Sequence, residues 1–378
     1  MTIAFNKLEV RIRLAAIRAN YRLLCNRGSR IIGVIKADGY GHGLTEVASA
    51  LASEGCDSFA VGTVEEGAAL RQHLTAQGLS SRILVLLGPI EPDDFPLLWK
   101  HGLIPLIGSF RQLEALARQA ARMGRALDVS LKFDTGMARL GFGVEDIPRL
   151  LDRLREAPLV RPSMVSSHLA TADQPESVEY LMSQAERFTF ILSTLAKAGY
   201  TVEANLANSA GILGHPSLHH QSQRAGIALY GANPFGGTTW DHLGRGLAPA
   251  MEVRTRIVSV HSLPKGGCIS YGCTYTAERD MRVAIVAVGY ADAYSRGLTG
   301  QGAQMLIAGR RAPVVGRVCM QLTACDVTDI NDARPGDQAV LLGGEGPLAI
   351  RPEELASWWG TISYEVFCLL GLNRRVYI

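Results

Sequence analysis

The sequence predicts an α/β protein, an N-terminal (β/α)8 TIM-type barrel followed by a mainly β C-terminal domain. Three observations predict it. From about residue 30 to 234, short β-branched runs alternate with segments of helical period, which implies parallel strands. Eight such runs can be read, the number that closes a barrel. Beyond about residue 237, strand patterns follow one another without long helices between them. A chain of 378 residues suits two domains, and 47% hydrophobic with 19% charged residues lets it bury a large core.

The first element is a strand candidate, KLEVRI at residues 7–12, and residues 1–9 are expected to join the β domain. A helix, LAAIRANYRLLCNRG, leads into the first barrel run, RIIGVIK. The remaining runs are SFAVGT, RILVLLG, LIPLIGS, LDVSLKF, MVSSHLA, EANLANS and RAGIALYG. Between them, FRQLEALARQAARMG and SVEYLMSQAERFTFILSTLAKAG repeat their apolar residues at helical spacing. Periodicity does not show closure, so a doubly wound open sheet competes with the barrel. The Gly-rich passage YGANPFGGTTWDHLGRG reads as a hinge, dividing a barrel of residues 10–236 from a β domain of residues 237–378. The second domain offers MEVRTRIVSVHSLP, RVAIVAVGYA, QMLIAGRRAPVVGRVCM and QAVLLGG as strands. One late helical piece, RPEELASWWGTISYEVFCLLG, carries Pro352 at its start.

Charge excludes one class of partner. Lys plus Arg number 38 against 35 acidic residues, a net +3 with no block of like charge, so no polyanion-binding surface for nucleic acid is expected. The seven cysteines are odd in number and form no CxxC pair, which predicts buried thiols in a reducing compartment. Cys319 and Cys325 read as packed thiols. The opening MTIAFNKLEVRIR lacks an apolar core of signal-peptide length, and no run reaches the length of a membrane span. A cytoplasmic protein without membrane contact is expected. HPSLHHQ gathers His215, His219 and His220, but no acidic or cysteine ligand flanks them, so a surface loop is expected and no metal.

A barrel demands that functional residues lie at the carboxyl ends of its strands. Lys36, Ser109, Lys132, His168, Asn208 with Ser209, and Arg224 with Gly226 fall there. Lys36 closes an apolar run and opens KADGYGHG. A solvated strand-end charge is the plain reading. An apolar strand would instead desolvate the amine, lower its pKa and free a nucleophile able to form a Schiff base with an aldehyde cofactor. In barrels, phosphates frequently bind at the loops after strands seven and eight. Ser209 and the backbone N–H groups of Gly226 and Ile227 stand in those loops, although Ser209 could equally cap the helix that follows.

VIKADGYGHG resembles the pyridoxal-phosphate signature of alanine racemases. LKFDTGMARLGF, SSHLATAD, ANSAG, RAGIALYG, ISYGCTY, VGYADAYSRGL, GRVCM and ISYEVFC are similar to further blocks of that family, in its order, over residues 31 to 371. The resemblance implies a pyridoxal 5'-phosphate enzyme, a homodimer in which each site is built from both chains. It implies that Lys36 holds the cofactor as a Schiff base. Tyr40, Ser209, Gly226, Ile227 and Tyr364 match phosphate-binding positions, and His168 and Arg224 match residues behind the pyridine ring. Arg139 and the Met320 backbone match groups that hold the substrate carboxylate, and Tyr271 of the partner chain matches the second base. Lys132 matches a lysine commonly carbamylated in the family; a solvated strand-end lysine is the alternative. Asp173, Tyr290, Arg296, Arg317 and Ile362 match the entryway.

These residue types suit racemisation, which removes the Cα proton from one face and returns one to the other. Lysine and tyrosine can each accept and donate that proton. A guanidinium does not give up its proton, so an Arg224 facing the pyridine ring, as the resemblance implies, would leave its nitrogen unprotonated and the ring a weaker electron sink. One residue departs from the family pattern: after GRVCM stands Gln321 in place of the usual aspartate. That removes a negative charge beside the substrate pocket and leaves a serine or broad-range amino-acid racemase as the alternative to strict alanine use. A decarboxylase of the same cofactor class and a non-catalytic cofactor carrier are more distant readings. The β domain and Tyr271 argue against the carrier.

Overall fold

Eight parallel strands close the barrel in the computed structural model, which describes residues 7–28 and 30–378. The expectation for residues 1–6 lies outside the described residues. Strand β1 (Glu9–Ile12) and helix α1 (Leu14–Cys25) precede the barrel. Its strands are β2 (Arg30–Val34), β3 (Ser58–Val61), β4 (Arg82–Val85) and β5 (Ile104–Ile107), then β6 (Leu127–Lys132), β7 (Val160–Ser166), β8 (Glu203–Asn205) and β9 (Ser222–Ala225). β9 returns to pair with β2, Arg30 opposite Ser222, so closure and not an open sheet is the arrangement. Most residues of these strands are buried, because neighbouring strands, the barrel interior and the outer helices cover both faces.

Local corrections have local causes. RAGIALYG is not a strand throughout: β9 ends at Ala225, and Ile227–Tyr230 turn as a 3-10 helix. The Gly226 and Ala228 N–H groups donate to Ser209 Oγ (3.0 and 3.2 Å), which takes them away from a strand ladder. QMLIAGRRAPVVGRVCM divides into two strands at Ala308–Gly309, both with positive φ (49° and 71°), as a two-residue hairpin turn requires. The late helical piece is two helices, Pro352–Trp359 and Ser363–Leu370, parted at Gly360 in the left-handed region.

The second domain contains β10 (Met251–Leu263), β11 (Cys268–Ile269), β12 (Tyr275–Thr276) and β13 (Met281–Val286), followed by β14 (Gln304–Ile307) and β15 (Arg310–Val315). It ends with β16 (Thr323–Asp326), β17 (Gln338–Leu342) and β18 (Arg375–Tyr377). β10 pairs first with β1 and β17 and then with β13, so the sheet closes on itself in the order β13-β16-β15-β14-β17-β10. β1 joins this sheet from the other end of the chain, with Val10 opposite Val253 and Arg375.

Cys56 and Cys325 are buried free thiols as expected, whereas three other cysteines and the histidine segment differ from expectation. Cys25, Cys268 and Cys273 are exposed, and the last two are joined as a disulfide, their Cα atoms 5.1 Å apart. The hairpin β11–β12 brings them together at the surface. Cys325 is a buried free thiol and Cys319 a half-buried one. The histidine segment is half-buried, because His215 and His219 bond the Ala172 and Gly211 carbonyls (2.9 and 3.2 Å). Among the described residues, no three His, Cys, Asp or Glu side chains are placed to share a metal ion, and no helix is long and apolar enough to cross a membrane.

One buried side chain joins the barrel to the segment that leaves it. Asn20 of α1 donates to the Leu229 and Ala248 carbonyls (3.0 and 2.9 Å) and accepts from Ala248 N (2.8 Å). Gly231 is obligatory beside it, since its φ is +81° and a Cβ there would stand 1.9 Å from Ala248 O. Replacing Asn20 by alanine strands two carbonyls and an N–H in the interior. Asn20→Ala is expected to cost about 3 kcal/mol, at 1–3 kcal/mol for each buried group left unbonded. The urea midpoint of unfolding measures it, and a midpoint equal to wild type would refute the account.

Candidate active site

Lys36 stands two residues beyond β2, where the chain makes a left-handed turn. Ala37, Asp38, Gly39 and Tyr40 take φ of 52°, 53°, 62° and 53°. Only glycine adopts this backbone freely; each of the others costs about 1–2 kcal/mol. Glu66 offsets that cost: one carboxylate oxygen accepts from Ala37 N and Asp38 N (2.7 and 3.4 Å), the other from Gly62 N and Thr63 N (2.6 and 3.3 Å). Asp38 accepts from Leu44 N at 2.7 Å and pairs with Arg375. Tyr40 stacks on Tyr230, ring centroids 4.9 Å apart, and the Tyr230 hydroxyl donates to Val34 O at 3.0 Å. The turn therefore aims Lys36 across the barrel mouth.

A cavity of about 640 Å³ opens there. Lys36, Tyr40, Lys132, Arg139, His168 and Ser209 line it, as do Arg224, Gly226, Ile227, Ile362 and Tyr364. Apolar walls come from Leu86, Leu87 and Leu106. Burial, then the Arg139 guanidinium, pushes the Lys36 amine below the ordinary lysine range. Lys132, the last residue of β6, donates to Phe133 O at 2.9 Å, and burial, then Arg224, brings its amine down to about 7. Arg224 is buried, yet its charge is bonded: it donates to Asn205 O (3.1 Å), Asn205 Oδ1 and Ser167 O, and approaches His168 Nδ1 at 3.3 Å. Burial lowers it to about 10. His168 is held neutral, well below its usual range, by burial and then by Arg224.

The same cavity holds a cradle of hydroxyls and backbone N–H groups. Asn208, not Ser209, caps the helix Ser209–Gly214, accepting from Gly211 N at 3.0 Å. That frees Ser209 Oγ to face the Gly226 and Ala228 N–H groups. A Cβ added to Gly226 would come within 2.8 Å of the Tyr40 hydroxyl, so glycine keeps that space open. Burial raises the Tyr40 phenol, and burial with Asp173 nearby pushes Tyr364 up to about 12, so both remain proton donors at neutral pH. Arg139 follows a loop tied by Asp134, whose carboxylate accepts from the N–H groups of residues 136–139 at 2.8–3.1 Å.

Other expected site residues stand elsewhere. Tyr271, Tyr290, Arg296, Arg317 and Met320 belong to the β domain and do not line the Lys36 cavity. Tyr271 is 73% and Met320 58% exposed. Their loops do associate: Tyr290 N and Ala291 N donate to the Cys319 and Met320 carbonyls (3.0 and 2.9 Å), and Ser270 Oγ donates to Arg317 O (2.8 Å). Asp173 is outside the cavity lining but near enough to act on Tyr364. Ser109 is a helix cap, accepting from Gln112 N at 3.3 Å. The sequence reading missed Glu66 and Asn205. The capping-box pattern of Thr63 and Glu66 was a visible signal for the former, but only the fold aims its carboxylate at Ala37.

The closed barrel, with its charged cavity at the carboxyl ends of the strands, defines a barrel enzyme. The family profile "Alanine racemase, N-terminal domain" matches residues 12–234, and "Alanine racemase, C-terminal domain" matches residues 250–377. A protein named alanine racemase from Nitratidesulfovibrio vulgaris (strain DSM 19637 / Miyazaki F) is 52% identical over 377 residues, 100% of both chains. The crystal structure of biosynthetic alanine racemase from Pseudomonas aeruginosa superposes with a TM-score of 0.87 at 36% identity, covering 99% of this chain and 100% of that one. That of alanine racemase from Bartonella henselae, with covalently bound pyridoxal phosphate, gives 0.86 at 26% identity, covering 98% and 99%. This chain belongs to the alanine racemase family, whose members depend on pyridoxal phosphate, and it is an enzyme that racemises alanine.

Proposed function

We propose that the chain holds pyridoxal 5'-phosphate on Lys36 and interconverts L- and D-alanine by two bases, Lys36 on one face and Tyr271 of the partner subunit on the other. The observation that carries this is the desolvated Lys36 amine sharing one cavity with a cradle of neutral donors and a buried, hydrogen-bonded arginine. The cradle suits a phosphate: Tyr40, Ser209, Tyr364 and the Gly226 and Ile227 backbone would bind it. Arg224 and His168 would face the pyridine ring. When bound, the cofactor spreads the negative charge left by removal of the Cα proton.

The protein's part is to bind, orient and move protons. Lys36, held below the ordinary lysine range, is free to accept the proton on its face. Arg139 and the Met320 backbone would fix the substrate carboxylate. Asp173, Tyr290, Arg296, Arg317 and Ile362 would form the entryway. Because Tyr271 and Met320 are exposed and stand apart from their own chain's cavity, we read the enzyme as a homodimer that exchanges β-domain residues between sites. We also propose a cytoplasmic enzyme that supplies D-alanine for peptidoglycan or breaks alanine down, its domains meeting near residue 236. Gln321, exposed beside Met320, keeps serine open as a second substrate. Chiral analysis of parallel L-alanine and L-serine incubations ranks the two.

Lys36→Ala is expected to lower racemisation by more than about 100-fold, since tether and base are lost together. Borohydride treatment of the wild-type holoenzyme should leave the cofactor on the peptide containing Lys36; recovery on another lysine would sink the assignment.

Lys132, with an amine near 7, holds a large neutral fraction at physiological pH, the form that reacts with carbon dioxide. We propose that it is carbamylated, reversing its charge toward Arg139. A carbamate signal from ¹³C-bicarbonate that disappears in Lys132→Ala checks this; its persistence in the variant argues against it.

The shared site is tested by mixing two inactive homodimers, Lys36→Ala and Tyr271→Ala. Random reassociation makes half the dimers mixed, each with one intact site, so activity should recover to roughly a quarter of wild type per subunit. If one chain supplied both bases, mass-confirmed heterodimers would show no recovery.

A further inference from the structure

Two cysteines bracket the Tyr271 turn in CISYGC, and they are bonded to each other. The hairpin that presents Tyr271 is small: β11 and β12 pair only Cys268 with Thr276 and Ile269 with Tyr275. Two register pairs do not hold a hairpin alone in water. Its tip is also strained, for Ser270, Gly272 and Cys273 have φ of 66°, 73° and 45°, and two of the three are not glycine. Three tethers oppose relaxation. Ile269 is buried in a small apolar cluster with Ala277, Met281 and Val283; Ser270 Oγ donates to Arg317 O at 2.8 Å; and the disulfide closes the turn. Both bonded cysteines are exposed on the single chain, so a soluble thiol reaches the third tether there without unfolding the domain.

We propose that the Cys268–Cys273 disulfide is a positioning device for Tyr271, making turnover by this enzyme depend on the thiol–disulfide state of these two residues. The inference rests on Tyr271 being the second base. Reduction by a dithiol is balanced: its thiolate attacks one sulfur, the protein S–S bond breaks through a mixed disulfide, and the reductant leaves as its cyclic disulfide. Two electrons and two protons pass to Cys268 and Cys273. Oxidised glutathione reverses the exchange. The closed loop is short, so the chain-entropy contribution to global stability is small and the effect is local.

The test uses purified holoenzyme, oxidised or treated with dithiothreitol, with alkylation and peptide mass reading the state of Cys268 and Cys273. On reduction, kcat should fall about 10-fold, as displacement of a reacting group does, with KM for alanine nearly unchanged. Amide exchange should accelerate over residues 268–276 and stay unchanged in the barrel. Oxidised glutathione should restore both. The Cys268→Ser/Cys273→Ser double variant should show the lowered kcat under either condition, which also controls for dithiothreitol acting elsewhere. Cys25→Ser should respond as wild type. Equal kcat in both states beside an inactive Tyr271→Phe overturns the positioning role alone, as does failure of oxidation to protect the two thiols from alkylation. Full turnover by Tyr271→Phe overturns the reading of Tyr271, and this inference with it.

Discussion

The site depends on a short stretch of backbone that the chain does not favour. Residues 37–40 run left-handed directly after Lys36, and three of the four carry a Cβ. Such a turn exists only where its surroundings over-determine it. Glu66 bonds its N–H groups from one side, and the C-terminal part of the chain closes it from the other. There, a Cβ on Gly41 would meet Phe367 O at 2.3 Å, so the turn and the end of the helix Ser363–Leu370 lie backbone against backbone. The aim of Lys36 thus requires β3, the helix after it and the C-terminal helix to be in place together. The geometry around Lys36 is a property of both domains, although the lysine belongs to the barrel.

A second constraint follows from crowding cations in a low dielectric. Lys36, Lys132, Arg139, Arg224 and His168 face one cavity, and no carboxylate among its lining residues comes from the barrel. Burial and mutual repulsion move Lys36, Lys132, His168 and Arg224 toward their neutral forms. Arg224 nevertheless stays cationic, because its lowered value of about 10 still lies well above neutral pH. The outcome is a division of labour: an arginine that stays cationic, and two lysines that lose protons easily. An acidic ligand entering such a cavity would meet fixed donors rather than water, and its charge would be compensated where it binds.

The β domain presents its chemistry outward. Tyr271, Tyr290, Met320 and Gln321 are exposed on adjoining loops, while the buried face of the same sheet is ordinary apolar core. Exposed aromatic and thioether groups beside polar loops are costly for a monomer to leave in water, which is the physical ground for reading this face as an interface. Ile362, 61% exposed, stands on the first chain's rim of the cavity and would meet it.

By itself the sequence determined the alternation of strands and helices, the rough places of the eight barrel strands and the clustering of charged residues at or near their carboxyl ends, because burial on both faces selects continuous β-branched runs and barrels place polar residues at one end. It also carried the family blocks, and so the activity. Closure was beyond it: only the pairing of β9 with β2 decides between barrel and open sheet, and that contact joins residues far apart in the chain. The true end of RAGIALYG, the capping of a helix by Asn208 rather than Ser209, and the bracing of Lys36 by Glu66 were likewise decided by partners brought together in space. The cysteines make the same point. Their number and spacing suggested buried thiols, whereas a hairpin set Cys268 and Cys273 side by side at the surface. Local pattern records what each segment buries; only the folded chain determines which groups meet, since hydrogen bonds, charge coupling and disulfides act over distances that sequence separation does not measure.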